Sequence, residues 1–187
     1  CKCCMERKNK KTGEITYYHQ MVGAVIVHPD QKQVIPLAPE PIIKQDGDNK
    51  NDCERNASKR LLTKIREEHP HLKLIVVEDA LASNAPHIRL LKQHHMHFLL
   101  GAKPADHEHL FDQVIQAYEE DRMIGMRWED PKRKGVTHEI DFTHNLALNK
   151  SNPDLRVNVL QYSEYGADGE RTKCFSWVTD LTITEEN

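Results

Sequence analysis

Two apolar runs of strand length, Leu72–Val77 and His97–Leu100, flank a segment with helical spacing, and this order constrains the fold more than any other feature. A continuous apolar strand suits the middle of a sheet, covered on both faces. The intervening Ala85–His94 places Ile88, Leu90 and Leu91 on one helical face. A strand–helix–strand unit closes as a right-handed crossover, which makes its two strands parallel neighbours. Such units bind ligands outside the carboxyl ends of their strands. The first run ends there on Glu78 and Asp79, followed by the small residues Ala80, Ala82 and Ser83.

The rest of the chain organises around that unit. Residues 1–14 are polar and basic and read as a loop. Residues 16–30 are rich in β-branched and aromatic side chains and stop at Pro29-Asp30, which predicts one long strand. Residues 33–43 carry prolines that mark an edge strand, so the two form a hairpin. After a loop at 44–51, Ala57, Leu61, Leu62 and Ile65 predict a helix over 52–69, with Asn51 and Glu54 at capping-box spacing and Pro70 beyond its end. A further helix is expected over 106–121, capped by Asp106, with Leu110, Phe111, Val114, Ile115 and Tyr118 on its apolar positions. Then the texture changes. Residues 123–128, 136–142, 155–162 and 174–183 read as strands, the last two flanking a turn with two glycines. The expected architecture is α/β, ordered ββαβαβα over residues 1–121, with a β-rich region over 122–187.

Composition excludes some roles. A chain of 187 residues suffices for one domain, or one domain with an appendage. Its net charge of −3 argues against a protein that coats nucleic acid, and leaves room for a local basic patch. No apolar stretch approaches the roughly 20 residues that span a bilayer, so no membrane partner is expected. Cys1, Cys3, Cys4, Cys53 and Cys174 do not form a spaced disulfide framework, which suits a reducing cytosol. The chain starts without methionine and stops just after a strand-like run; both ends read as cut.

Asp79 is the leading candidate for chemistry. Glu78 and Asp79 are adjacent, so they point to opposite faces, and the small residues leave room around Asp79. Lys103 lies just past the next strand's tip. A carboxylate beside a cation at strand tips suits a corner for a hard divalent ion and phosphate, and two such ions serve in-line phosphoryl transfer. The bland alternative is a solvated strand end.

The phrases VIPLAPEPI, DGDNKNDCERNASKRLL, IVVEDALASN, LLGAKPADH and FSWVTDLTITEEN, in this order, resemble insertion-sequence transposases of the DDE class. The resemblance covers essentially the whole chain. It implies a ribonuclease-H-like mixed sheet with flanking helices, followed by a β-rich insertion. It implies DNA transposition: three carboxylates hold two Mg²⁺ or Mn²⁺ ions that cleave a DNA strand and transfer it to target DNA. Asp79 matches the second carboxylate, at the end of the fourth core strand, as catalytic residue and metal ligand. The strand 16–27 has no carboxylate and fits the second core strand. The first Asp and the final Glu helix are missing; Glu185 and Glu186 lie too near the terminus to count. The resemblance thus implies a fragment, inactive alone, of a prokaryotic cytoplasmic protein acting at the nucleoid, with DNA as partner and a homodimer in full length. The missing first strand leaves unpaired edges and an aggregation-prone chain. Lys103, Lys132, Arg133 and Trp128 are the expected DNA contacts, Trp128 by stacking on a base or else as a core residue. Other readings are a non-catalytic DNA-binding remnant and a stand-alone metal-dependent phosphohydrolase with Asp79 as ligand.

Smaller constellations carry weaker chemistry. Cys1 and Cys4 form a CxxC with Cys3 and His19 as candidate further zinc ligands; the alternatives are free thiols in a loop, or half a site completed by residues that are missing. His94, His95 and His97, then His107 and His109, suit helix ends as well as metal. Asp46, Asp48 and Asp52 fit a loop and cap better than calcium. Arg7, Lys8, Lys10 and Lys11 either touch phosphate or are solvated. Trp177 is expected in the core.

Overall fold

The parallel pair forms as its sequence predicts, and a long antiparallel ribbon is added to one side of it. The computed structural model describes residues 3–47 and 50–185, with residues 50–52 described by backbone only. The chain divides after Leu72 into two units, each described by itself.

In the first unit, strand β1 (Cys4–Lys8) pairs antiparallel with β2 (Ile15–His19). Residues 4–8 of the segment read as a loop are therefore a strand, because pairing with the β-branched and aromatic β2 supplies an order that their own polar side chains do not signal, while 9–14 form the turn. The long strand expected over 16–30 breaks into β2, β3 (Met21–Val22) and β4 (Val25–His28). β4 forms the expected hairpin with β5 (Gln31–Pro36), and β3 pairs with β6 (Glu40–Pro41). Helix α1 spans Lys50–Glu68, and Ala57, Leu61, Leu62 and Ile65 are buried as their spacing predicts. The capping box at Asn51 falls on a side chain outside the described residues. Ile42, Cys53 and Ala57 form a small core, joined by Met5 and Val22. An ion-pair cluster ties α1 to the preceding loop. The Arg60 guanidinium donates to both Asp46 carboxylate oxygens, to Glu40 Oε1 at 2.7 Å and to the Pro41 carbonyl at 2.9 Å. Asp46 also accepts from Ile43 N–H at 2.8 Å and is 5% exposed.

The second unit is built on a six-stranded mixed sheet of order β7-β8-β12-β11-β10-β9. β7 (Ile75–Glu78) runs parallel to β8 (His97–Gly101), with α2 (Ala85–Gln93) between them in sequence. α3 (Glu108–Glu119) begins two residues later than expected. Residues 104–106 form a 3-10 turn, and His107 rather than Asp106 stands at the cap, with no side-chain capping bond. β9 (Ile124–Glu129), β10 (Thr137–Asn149), β11 (Asn152–Tyr165) and β12 (Arg171–Thr179) form an antiparallel ribbon. β12 pairs with β8, so the boundary expected between 121 and 122 falls inside one continuous sheet. The core is Phe98, Leu100, Val159 and Val178 from the sheet, with Ile88 and Leu91 of α2 and Leu110 and Val114 of α3.

β7 corrects one expectation. It is an edge strand, hydrogen-bonded on one side only among the described residues. Val76 and Glu78 are half-buried while Ile75 and Val77 are 54% and 66% exposed. Its apolar run is covered on one face, not two.

A bulge interrupts β10. Thr143 opposes Val159 and Leu146 opposes Val157, so β10 carries one residue more than β11 between these pairs. Asn145 takes φ 61°, a left-handed conformation that Asn tolerates, and its N–H donates to Asn158 Oδ1 at 3.0 Å.

Candidate functional site

Asp79 follows β7 directly, at the carboxyl end of the parallel pair. Its Oδ1 accepts from Leu81 N–H at 2.9 Å, an Asx turn that starts the connection to α2. The side chain is exposed, and no ion pair engages it among the described residues. Glu78 points the other way, as adjacent residues of a strand must. Its Oε2 lies 2.5 Å from Nε2 of His87, which is 4% exposed on α2. Glu78 is thus a structural partner of the helix. The tip of β8 crowds the same corner: a Cβ on Gly101 would come within 3.0 Å of Ala80 N and 3.3 Å of the Asp79 carbonyl carbon. Glycine there lets the two strand ends approach. Lys103 lies two residues beyond Gly101 and is exposed.

Next to this corner is an open cleft of about 360 Å³ between the start of α2, the start of α3 and the β10–β11 turn. Asn84 caps α2, its side chain accepting from His87 N–H at 3.1 Å. Ser83 is 4% exposed, and its hydroxyl has no hydrogen-bond partner among the described residues. His107 lines the cleft, and burial lowers its pKa against the opposing pull of Asp106. His109 and Asn149 complete the wall. These imidazoles and carboxylates do not form a metal cage: no cluster of three or more His, Cys, Asp or Glu side chains among the described residues has that arrangement.

Trp128, Lys132 and Arg133 lie at the β9–β10 end of the sheet. Trp128 stacks on His138 with centroids 5.3 Å apart and is 41% exposed. His138 Nε2 lies 3.0 Å from Asp130 Oδ2, and its Nδ1 lies 2.7 Å from the Tyr162 hydroxyl. Arg133 donates to Asp130 at 2.6 Å and to Glu164 at 2.7 Å. Two carboxylates therefore hold Arg133, whereas Lys132 is exposed and engages Asp130 through its backbone N–H. The Lys132 N–H and the Arg133 guanidinium hold the Asp130 carboxyl well below the usual carboxylate range. Arg133, then Lys173, pull Glu164 down to about 2.

This cluster belongs to a row of rings crossing the sheet. His138 stacks on Tyr162, Tyr162 on Phe175, and Phe175 packs on Trp177, with centroid distances of 5.9, 6.4 and 6.0 Å. The strand register puts all of them on one face. Within this unit the helices cover the other face, where Phe98 and Leu100 are fully buried. Trp177 is thus half-buried on the aromatic face, not in the core. Asp130, His138, Tyr162 and Glu164 escape a reading of the sequence because only the register joins them. The Asp130–Arg133 spacing is the one local signal.

The smaller constellations resolve into structure. Cys1 lies outside the described residues, Cys3 and Cys4 form no disulfide among them, and His19 Nδ1 faces the Cys3 carbonyl at 3.0 Å. His97 pairs with Asp180 at 3.0 Å. Asp46 is the partner of Arg60, while Asp48 and the Asp52 side chain lie outside the described residues. No helix among the described residues is long and apolar enough to cross a membrane.

Comparison of the chain with protein-family models and with curated proteins finds no match in either.

Proposed function

We propose that this chain is the Asp79-bearing part of a DDE-class insertion-sequence transposase that cleaves and transfers DNA strands as part of a longer protein. One observation supports this most: Asp79 is exposed at the carboxyl end of a parallel βαβ pair, on a strand whose outer edge is unpaired among the described residues. In this reading that edge is where a strand carrying another catalytic carboxylate pairs, and Asp79 is a ligand of Mg²⁺ or Mn²⁺. Two ions held between carboxylates and phosphate would clamp the attacking and leaving oxygens. Asp79 alone does not fit a two-ion site, so no catalytic step is assigned to the chain by itself.

In this reading Lys103 sits near the phosphate at the β8 tip, and Trp128 and Lys132 contact DNA at the far end of the sheet. Arg133 positions that surface through its two carboxylates. The test is Asp79→Ala in the complete protein, scored for strand cleavage and for DNA affinity. The expected result is loss of cleavage with affinity kept; a variant that still cleaves would remove Asp79 from the site. Purified residues 1–187 are expected to bind DNA without strand transfer.

A further inference from the structure

The N-terminal hairpin holds a basic concavity that the proposed site does not use. β1 and β2 pair so that Arg7 opposes Thr16 and Met5 opposes Tyr18, which puts Arg7, Thr16 and Tyr18 on one face. Lys10 lines the same hollow at the turn end and Gln20 at the other, around a volume of about 780 Å³, while the Lys8 side chain, opposite Ile15, falls on the other face. Among the described residues no carboxylate lines it. Glu6 opposes Tyr17 and so lies on the face away from Arg7. Among the described residues neither Arg7 nor Lys10 has a carboxylate within ion-pair distance, although the chain as a whole is acidic.

The turn that carries Lys10 is braced. The Asn9 side-chain oxygen accepts from Lys11 N–H at 2.9 Å and Thr12 N–H at 3.3 Å. Asn9 N–H donates to the Glu14 carbonyl at 2.8 Å and Gly13 N–H to the Asn9 carbonyl at 2.9 Å. Gly13 has φ +74°, a value that glycine adopts without strain. Lys10 is thereby held at the turn end of the Arg7 hollow at little further cost in backbone entropy.

We infer that this hairpin is a phosphate-backbone contact surface for duplex DNA. Two cations, Arg7 and Lys10, flanked by hydroxyl and amide groups match the chemistry of positioning contacts to phosphate oxygens, which need no base readout. The form of the site favours a nucleic-acid strand over a lipid surface. It is concave, and Ile15 and Tyr17, the side chains suited to insertion in a bilayer, lie on the face opposite Arg7. The choice of DNA over RNA rests on the proposed function; the phosphate chemistry does not.

Counterion release sets the size of the effect. Two phosphate contacts contribute about −1.8 to the slope of log affinity against log salt, or about 12-fold in affinity between roughly 50 and 200 mM salt. The test is an anisotropy titration of the 187-residue chain against a labelled mixed-sequence duplex across that salt range. The double variant Arg7→Gln/Lys10→Gln is expected to lower the slope by about 1.8, uniformly across duplex sequences. Lys10→Gln, a change at one exposed turn residue, is expected to lower it by about 0.9 with an unchanged circular dichroism spectrum.

A wild-type slope in both variants overturns the inference. So does binding to phosphatidylserine vesicles or polyglutamate in place of the duplex. If Lys132→Gln lowers the slope while the hairpin variants do not, this surface is refuted and the proposed function stands. If the hairpin variants lose their contacts while Asp79→Ala still cleaves in the longer protein, the proposed function falls and this surface remains.

Discussion

Replacing Arg60 by methionine isolates the energetics of the first unit. In the wild-type chain the Asp46 side chain is 4% exposed and Arg60 is 37% exposed, so substitution leaves a buried carboxylate without its cation. Removing one partner of a buried pair costs about 3–5 kcal/mol. Water reaches the exposed part of Arg60, which places the expected loss near the lower end, at about 3 kcal/mol. Hydrogen exchange on the α1 amides reads this loss directly.

The pH dependence has a defined sign. In the wild type the Arg60 guanidinium holds the Asp46 pKa below its ordinary value. That stability is present at neutral pH and is lost only as pH falls through the lowered value. In the variant, burial without a cation raises the carboxyl's pKa, so protonation relieves it at a higher pH. The gap between the two proteins should therefore narrow as pH falls from about 7 to about 4. Arg60→Lys should recover less than half of the loss, because an ammonium cannot fork to Asp46, Glu40 and the Pro41 carbonyl together. A loss under about 1 kcal/mol, or a gap that stays constant with pH, would refute the argument.

Three further outcomes follow from the second unit. Glu164→Gln should abolish the part of acid unfolding that wild type shows between the ordinary glutamate pKa and about 2, since a depressed folded pKa loses its stabilisation on acidification through that window; melting temperature against pH checks it. Ser83→Ala should raise stability by about 1 kcal/mol in urea titrations, because it removes a buried hydroxyl with no partner; an unchanged or lower midpoint would count against that accounting. Val77→Lys should increase the soluble yield and suppress light scattering on heating, because a charge on an open edge opposes strand addition.

The helices were legible because their signal is local. Apolar residues three and four apart mark the buried faces of α1, α2 and α3, but Ile115 and Tyr118, expected on the apolar face of α3, are 57% and 47% exposed. β8 was legible for the same reason, as a short apolar run. β7 was legible as a strand but not as an edge, since an apolar run does not say how many neighbours it has. β1 was not legible: Cys-Met-Glu-Arg-Lys has no alternation, and its order comes from pairing with Ile15–His19. The position of Asp79 followed from the βαβ rule. The Asp130–His138–Tyr162 cluster did not, because 24 residues separate His138 from Tyr162 and only the β10–β11 register closes that distance.

The bulge at His144–Asn145 sets the phase of the longest ribbon. Up to Thr143 the odd-numbered residues of β10 face the helices; from Leu146 onward the even-numbered ones do, and Leu146 and Leu148 are buried by that switch. Without it, strict alternation would turn the far end of the ribbon inside out. A one-residue deletion at Asn145 would therefore keep every later side chain on its present side, whereas the same deletion at Ile140 would invert the stretch between it and the bulge. Length variation in this ribbon has a natural place, and Asn145 marks it.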